Sequence, residues 1–212
     1  MKMSFRWYGK ENETFPLQYV RQIPGMYGIV GALFDVPVGE IWPMDKILAL
    51  KREVEDVGLN LETIESVNVH EDIKLGLPSR DQYIENYIQT LRNLSAAGIN
   101  VVCYNFMPVF DWTRTDLAKV LSDGSTAMSY DASILQGLTP EKMVKQIAEG
   151  SHGFKLVGWE PERLQALQLL FDQYEFVDEE VLFSHLGYFL KAIIPVAEAC
   201  GINMAIHPDD PP

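Results

Sequence analysis

The amino-acid sequence predicts an α/β protein with a parallel sheet, on three observations. Segments 47–66, 87–106 and 189–208 ("ILALKREVEDVGLNLETIES", "YIQTLRNLSAAGINVVCYNF" and "FLKAIIPVAEACGINMAIHP") each run from apolar residues at helical spacing to a glycine, then to a short β-type run. Gly58, Gly98 and Gly201 stand where a helix C-cap needs a positive φ, and each is followed by an apolar residue and then an asparagine. Strands that alternate with helices in this way pair in parallel, with the helices covering the sheet.

In chain order, "SFRWYG" (4–9) and "YGIVGALF" (27–34) read as the first two strands, with "PLQYVRQIP" as a short helix between them. The repeated unit adds three more, so strands are expected near 4–8, 28–34, 60–65, 100–105 and 202–207. Pro195 falls inside the last helix, where it removes one backbone hydrogen bond and is expected to bend the axis. Gly58 and Gly98 are 40 residues apart but Gly98 and Gly201 are 103 apart, which places a large insert over 108–180. Within it, "LSDGSTAMSYD" reads as a hairpin or loop. Two helices follow, one at "LTPEKMVKQIAEG" with Thr139 as N-cap and Pro140 at its first position, the other at "EPERLQALQLLFDQY". An insert after a strand either shapes a binding mouth or serves as a subdomain or dimer contact.

Composition narrows the function. With 47% hydrophobic and 22% charged residues the chain buries an ordinary core, and 17 basic against 30 acidic side chains give a charge of −13. That balance disfavours nucleic acid and anionic membrane as partners. Cys103 and Cys200 lie in apolar surroundings with no CxxC spacing, and are expected to be buried thiols in a reducing compartment. The N-terminus lacks an apolar core of the signal-peptide type, and no stretch of about 18 uncharged apolar residues occurs, so a cytoplasmic protein is expected.

Polar residues collect at the predicted strand ends: Glu65, Asn105 and His207 close the third, fourth and fifth strands. In parallel α/β folds that rim is where ligands bind, because the βα loops converge there. His207 is either a metal ligand oriented by Asp209 and Asp210 or a structural residue before a "PDDPP" turn. His70, beside Glu71 in "ESVNVHEDIK", suits proton transfer or sugar-hydroxyl binding, or else a solvated loop; His152 and His185 are weaker candidates. The loop "YNFMPVFDWTRTDL" (104–117) concentrates Asp111, Trp112 and Arg114, a set suited to capturing a carboxylate and packing on a sugar, or to anchoring the loop by a salt bridge.

Taken together, "FRWYG", "ESVNVHEDIK", "VVCYNFMPVFDWTRTDL" and "FLKAIIPVAEACGINMAIHPDDPP" resemble the mannonate dehydratase family, in order and along essentially the whole chain. The resemblance implies a (β/α)8 TIM barrel of the xylose-isomerase-like kind, of which this chain supplies about the first five strands plus a large insert after the fourth. It implies a homodimeric hydro-lyase of glucuronate breakdown that dehydrates D-mannonate to 2-keto-3-deoxy-D-gluconate with Mn2+ or Fe2+. It makes His207 a metal ligand, the other ligands being a cysteine, a second histidine and an aspartate on strands that follow. Residues 1–212 are therefore expected to be the N-terminal part of a longer catalytic domain. Cys103, inside a strand, and Cys200, before a cap glycine, are not expected to replace the missing ligand.

The chemistry accounts for the residue types. Taking a proton from the carbon next to a carboxylate builds negative charge, which a cation and hydrogen-bond donors offset, while an acid protonates the departing hydroxyl. On position and residue type, Asn105 and Arg114 are expected to bind the acid sugar, Trp112 to shield it, and Trp7, Glu65, Ser66 and His70 to line the rim; the base is unassigned. Two other readings stand beside this one: a metal-dependent sugar isomerase or epimerase on the same barrel, and a non-catalytic fragment whose exposed strand edges need partners.

Overall fold

The structure is a computed structural model, and it describes residues 1–108, 114–137, 142, 145, 149, 170 and 172–207. Five parallel strands form one sheet, and a separate antiparallel pair lies in the insert. The sheet strands are β1 (Met3–Arg6), β2 (Met26–Gly31), β3 (Asn60–Glu65), β4 (Val101–Tyr104) and β7 (Asn203–Ile206), in the order β1-β2-β3-β4-β7. Each expected strand is present: β3 has the expected bounds, β4 and β7 are one residue shorter at each end, and β1 and β2 start one and two residues earlier and end two and three residues earlier. Among the described residues β1 and β7 are the two edges of this sheet.

The crossovers are α1 (Leu17–Arg21), α2 (Met44–Glu55), α3 (Glu71–Lys74) with α4 (Arg80–Ala96), and, after the insert, α6 (Glu179–Cys200). On α2 the buried residues Ile47, Leu50 and Val54 form one stripe, with Asp45 in the first turn and Arg52 in the last to complement the helix dipole. The stripe on α6 is Phe189, Ile193 and Ala197, one residue every four. Among the described residues α6 is the one helix long and apolar enough to cross a membrane. That stripe is nonetheless buried in the core against α3 and α4, and Lys191 and Glu198 lie within the same helix. The helix continues through Pro195 to Cys200.

The repeated glycine unit has one physical basis in all three places. The φ values of Gly58, Gly98 and Gly201 are 76°, 78° and 68°. In each case the next residue donates its N–H to a carbonyl five residues back: Leu59 to Val54 (3.3 Å), Ile99 to Leu94 (3.0 Å) and Ile202 to Ala197 (2.9 Å). All six of these side chains are buried, which is the hydrophobic contact expected of a Schellman cap. The caps therefore reverse the chain and launch β3, β4 and β7 from one end of the sheet. Neighbouring helix ends are tied together: Lys51 Nζ donates to Ala97 O at 2.6 Å and Ser95 Oγ to Cys200 O at 2.7 Å.

The core lies between one face of the sheet and these helices. Ile29, Leu61, Ile64, Val102 and Tyr104 project toward it, and Phe189 sits at its centre among the rings of Tyr87, Tyr104 and Phe106. Cys103 and Cys200 are free thiols, both half-buried rather than fully buried as the sequence predicts.

The chain divides into two units, one holding the sheet and its helices and the other covering residues 107–178. In the second, β5 (Asp116–Val120) and β6 (Thr126–Ser129) pair antiparallel, so "LSDGST" is a hairpin turn. Its Asp123 accepts hydrogen bonds from the N–H and Oγ of Ser125. The short helix α5 (Ala132–Leu135) follows, capped by Asp131, whose carboxylate accepts from the Ser133 N–H. The Thr139 cap, Pro140 and most of the two helices expected after it lie outside the described residues.

Candidate functional site

Alternation along the strands separates two faces. On β4, Val102 and Tyr104 turn to the helices, so Cys103, and Asn105 just beyond the strand, fall on the opposite side. Glu65 is the register partner of Cys103, and Cys103 of Ala205, so the same side carries Glu65 on β3 and continues toward His207 after β7. On β1, Phe5 packs edge-on against Phe15 while Arg6 takes the other side. Arg6, Glu65 and His207 thus meet at the C-terminal ends of the strands without being neighbours in sequence.

Glu65 stands in the middle of this row. One of its oxygens, Oε2, is 3.9 Å from Arg6 Nε, and Oε1 is 3.9 Å from His207 Nε2. Arg6 is anchored by its Nη1, which donates to the carbonyls of Trp7 and Val30 at 3.3 Å each, and its guanidinium lies 4.5 Å from the centre of the Tyr8 ring. Burial lowers the Arg6 pKa while Tyr8 and Glu65 oppose the shift; arginine begins so high that the cation persists. Burial, with the Glu65 charge beside it, pushes the Cys103 thiol up, so this sulfur stays protonated. The backbone N–H of His207 donates to Tyr104 O at 2.8 Å, extending the β4–β7 ladder past its last residue pair and leaving the imidazole half-exposed.

Asn105 is buried, and its Oδ1 has no hydrogen-bond partner among the described residues. An acceptor left unpaired costs about 1–3 kcal/mol, a deficit that a donor from a bound ligand removes.

The other predicted site residues are placed as follows. Trp7 was expected on the rim, but it is 2% exposed and belongs to the core: it follows Arg6, so alternation sends it to the helix side, beside a cavity of about 310 Å³ lined also by Glu13, Phe15 and Val57. Ser66 Oγ donates to Asn68 Oδ1 at 2.7 Å and, with His70 and Tyr83, borders a cavity of about 30 Å³, room for a single water. Arg114 is half-buried and lies just before β5 in the second unit. Trp112, Asp111, His152, Asp209 and Asp210 lie outside the described residues.

His70 is a helix cap. Its Nδ1 accepts the Asp72 N–H at 3.1 Å at the start of α3, and its ring stacks 3.6 Å from that of Tyr83. The adjoining loop closes on this stack at Gly39, where φ is +88° and a Cβ would come within 2.6 Å of the Tyr83 ring and 2.8 Å of His70. Glu71 pairs with the buried Lys74 at 2.7 Å. Burial is the largest influence on His70 and lowers its pKa, against the raising effect of Asp72 and Glu71. The unfolded chain then binds a proton that the native state resists, so this contribution to stability is intact above pH 6.5 and shrinks as pH falls below it. Urea midpoints measured at pH 7.5 and 5.5 are expected to fall with pH, and to fall less in His70→Asn, which keeps a capping acceptor without a titrating ring. An equal fall in both proteins refutes the assignment to His70.

Arg6 is not among the residues the sequence singles out, since the rim reading falls on Trp7, the residue after it. The available signal was a cation closing a strand of a parallel sheet. Lys74 had no signal, since a lysine in a short acidic helix ordinarily reads as solvated.

Among the described residues no group of three or more His, Cys, Asp and Glu is arranged to hold a metal ion. What is present is an imidazole at a strand end with a carboxylate beside it, chemistry that fits one arm of a divalent-cation site.

Comparison with known proteins agrees along the whole chain. A family model described as D-mannonate dehydratase (UxuA) matches residues 1–212. The mannonate dehydratase of Thermotoga petrophila is 61% identical over 212 residues, covering 100% of this chain and 59% of the relative. That of Geobacillus thermodenitrificans is also 61% identical, with 57% of the relative covered. A crystal structure of mannonate dehydratase from Streptococcus suis serotype 2 superposes with a TM-score of 0.84 at 50% identity, over 100% of this chain and 54% of that one. The chain thus spans less than two thirds of the length of these proteins. On a match that runs from the first residue to the last, the chain belongs to the D-mannonate dehydratase (UxuA) family.

Proposed function

We propose that this chain is part of a metal-dependent hydro-lyase that converts D-mannonate to 2-keto-3-deoxy-D-gluconate and water. The observation that carries the reading is the convergence of Arg6, Glu65 and His207 at the C-terminal end of a parallel sheet in a chain of this family. That end is where parallel α/β enzymes gather their catalytic groups. The sheet is taken as an arc of a (β/α)8 barrel, the working enzyme as a homodimer, and the cation as Mn2+ or Fe2+.

When bound, the cation supplies a Lewis acid for charge developing on the substrate carboxylate. The imidazole of His207 would hold the cation from one side. Asn105 offers the buried Oδ1 as an acceptor for a substrate hydroxyl. Such a bond is selective, since an analogue lacking that hydroxyl leaves the oxygen unpaired again. Arg6 and Glu65 lie 3.9 Å apart on the same side, so the mouth carries a guanidinium beside a carboxyl group. The thiol of Cys103 is no base, being held protonated by its surroundings.

The test is an assay of the intact protein with D-mannonate and with neutral aldoses, before and after chelation and Mn2+ replacement. A 2-keto-3-deoxy acid is expected from mannonate alone, lost with EDTA and regained with Mn2+. Ketose from aldoses, with no keto-deoxy acid from mannonate, would instead establish an isomerase.

A further inference from the structure

Glu65 is the one residue of the strand-end row that faces both of the others. Its position is determined by the backbone, because it closes β3 in register with Cys103, and from there its carboxylate reaches past β4 to the end of β7. Arg6 holds the far oxygen from the opposite direction, and Arg6 is itself locked by two backbone carbonyls and the Tyr8 ring. The carboxylate thus lies between a guanidinium and the imidazole, 3.9 Å from each. The gap of 3.9 Å between Oε1 and Nε2 lies about 0.7 Å outside hydrogen-bond range, a distance that a side-chain torsion covers.

We propose that Glu65 is the positioning residue of His207. It accepts the N–H of one ring nitrogen, which selects the tautomer whose other nitrogen carries the lone pair for a divalent cation, and Arg6 stands beside its other oxygen. This rests on the reading above that His207 holds the cation. It replaces the substrate contact expected of Glu65 from sequence with a role that acts through another residue. Carboxylates that orient a ligating histidine act on metal affinity first and on the reaction only through occupancy.

The experiment measures Mn2+ binding to the intact protein by equilibrium dialysis, with no substrate present, for wild type, Glu65→Gln, Glu65→Ala and His207→Ala. Circular dichroism confirms folding, and the isosteric Gln variant gives the answer if Ala does not fold. Glu65→Ala is expected to weaken Mn2+ binding about 10- to 100-fold. Glu65→Gln is expected to lose less, because its amide oxygen still accepts the ring N–H. In both, kcat should rise again as Mn2+ approaches saturation while the KM for mannonate stays near that of wild type. Three results overturn the proposal. Unchanged Mn2+ affinity with a raised KM makes Glu65 a substrate contact; a Gln variant as defective as His207→Ala makes it a ligand in its own right; and a kcat that saturating Mn2+ fails to restore gives it a direct part in the chemistry. If His207→Ala alone keeps full Mn2+ affinity, it is the metal reading that fails.

Discussion

Replacing His207 with alanine is expected to weaken Mn2+ binding to the intact protein by more than about 100-fold, beyond the loss produced by removing a supporting group. Dehydration of mannonate should fall with it. The fold should not: the backbone N–H of this residue, which donates to Tyr104 O, survives the substitution, and its imidazole is half-exposed. Dialysis against Mn2+ and a thermal melt on the same preparation separate the two effects. A variant that melts as wild type does and still binds and turns over normally removes the metal from this position. A variant that loses its melt instead makes the ring structural.

The second large effect is on stability. Phe189→Ala is expected to cost about 3–5 kcal/mol, because a fully buried aromatic leaves a cavity that its neighbours fill only in part. Those neighbours are rings: Tyr87 stands at 5.1 Å and 86°, Phe106 at 5.9 Å and Tyr104 at 6.0 Å between centroids. Tyr87 is also held, its hydroxyl donating to Val67 O at 3.3 Å, so it is poorly able to turn into the space. For a chain of this length the cost corresponds to a fall of about 10 °C in Tm. Calorimetry measures it directly, and a fall below about 2 °C would mean that the core relaxes around the void. Phe189→Leu, which keeps most of the apolar volume, should lose less.

Much of the architecture was legible because each cue was local. A glycine that ends a helix acts through its own φ, and the apolar residue after it donates to a carbonyl five residues back, so the three caps at Gly58, Gly98 and Gly201 could be read directly. The strands after them followed, as did the polar strand ends Glu65, Asn105 and His207. The roles of individual side chains were less accessible. Trp7 and Arg6 are adjacent, and only the direction of β1 within the sheet decides that the arginine faces Glu65 and the tryptophan joins the core. His70 reads as a free acid-base group beside Glu71; in the structure it caps α3 and stacks on Tyr83, while Glu71 turns to Lys74.

By itself, then, the sequence determined the parallel α/β plan, the helix ends and the family, all of which depend on residue type and on spacing along the chain. Tertiary structure alone decided which polar residues share a face: Arg6, Glu65 and His207 are brought within 4 Å steps of one another although 59 and 142 positions separate them. The physical reason is that each strand presents alternate residues to opposite sides. A shift of one residue in β3 would turn Glu65 into the core, and the same shift in β1 or β7 would turn Arg6 or His207 away from it.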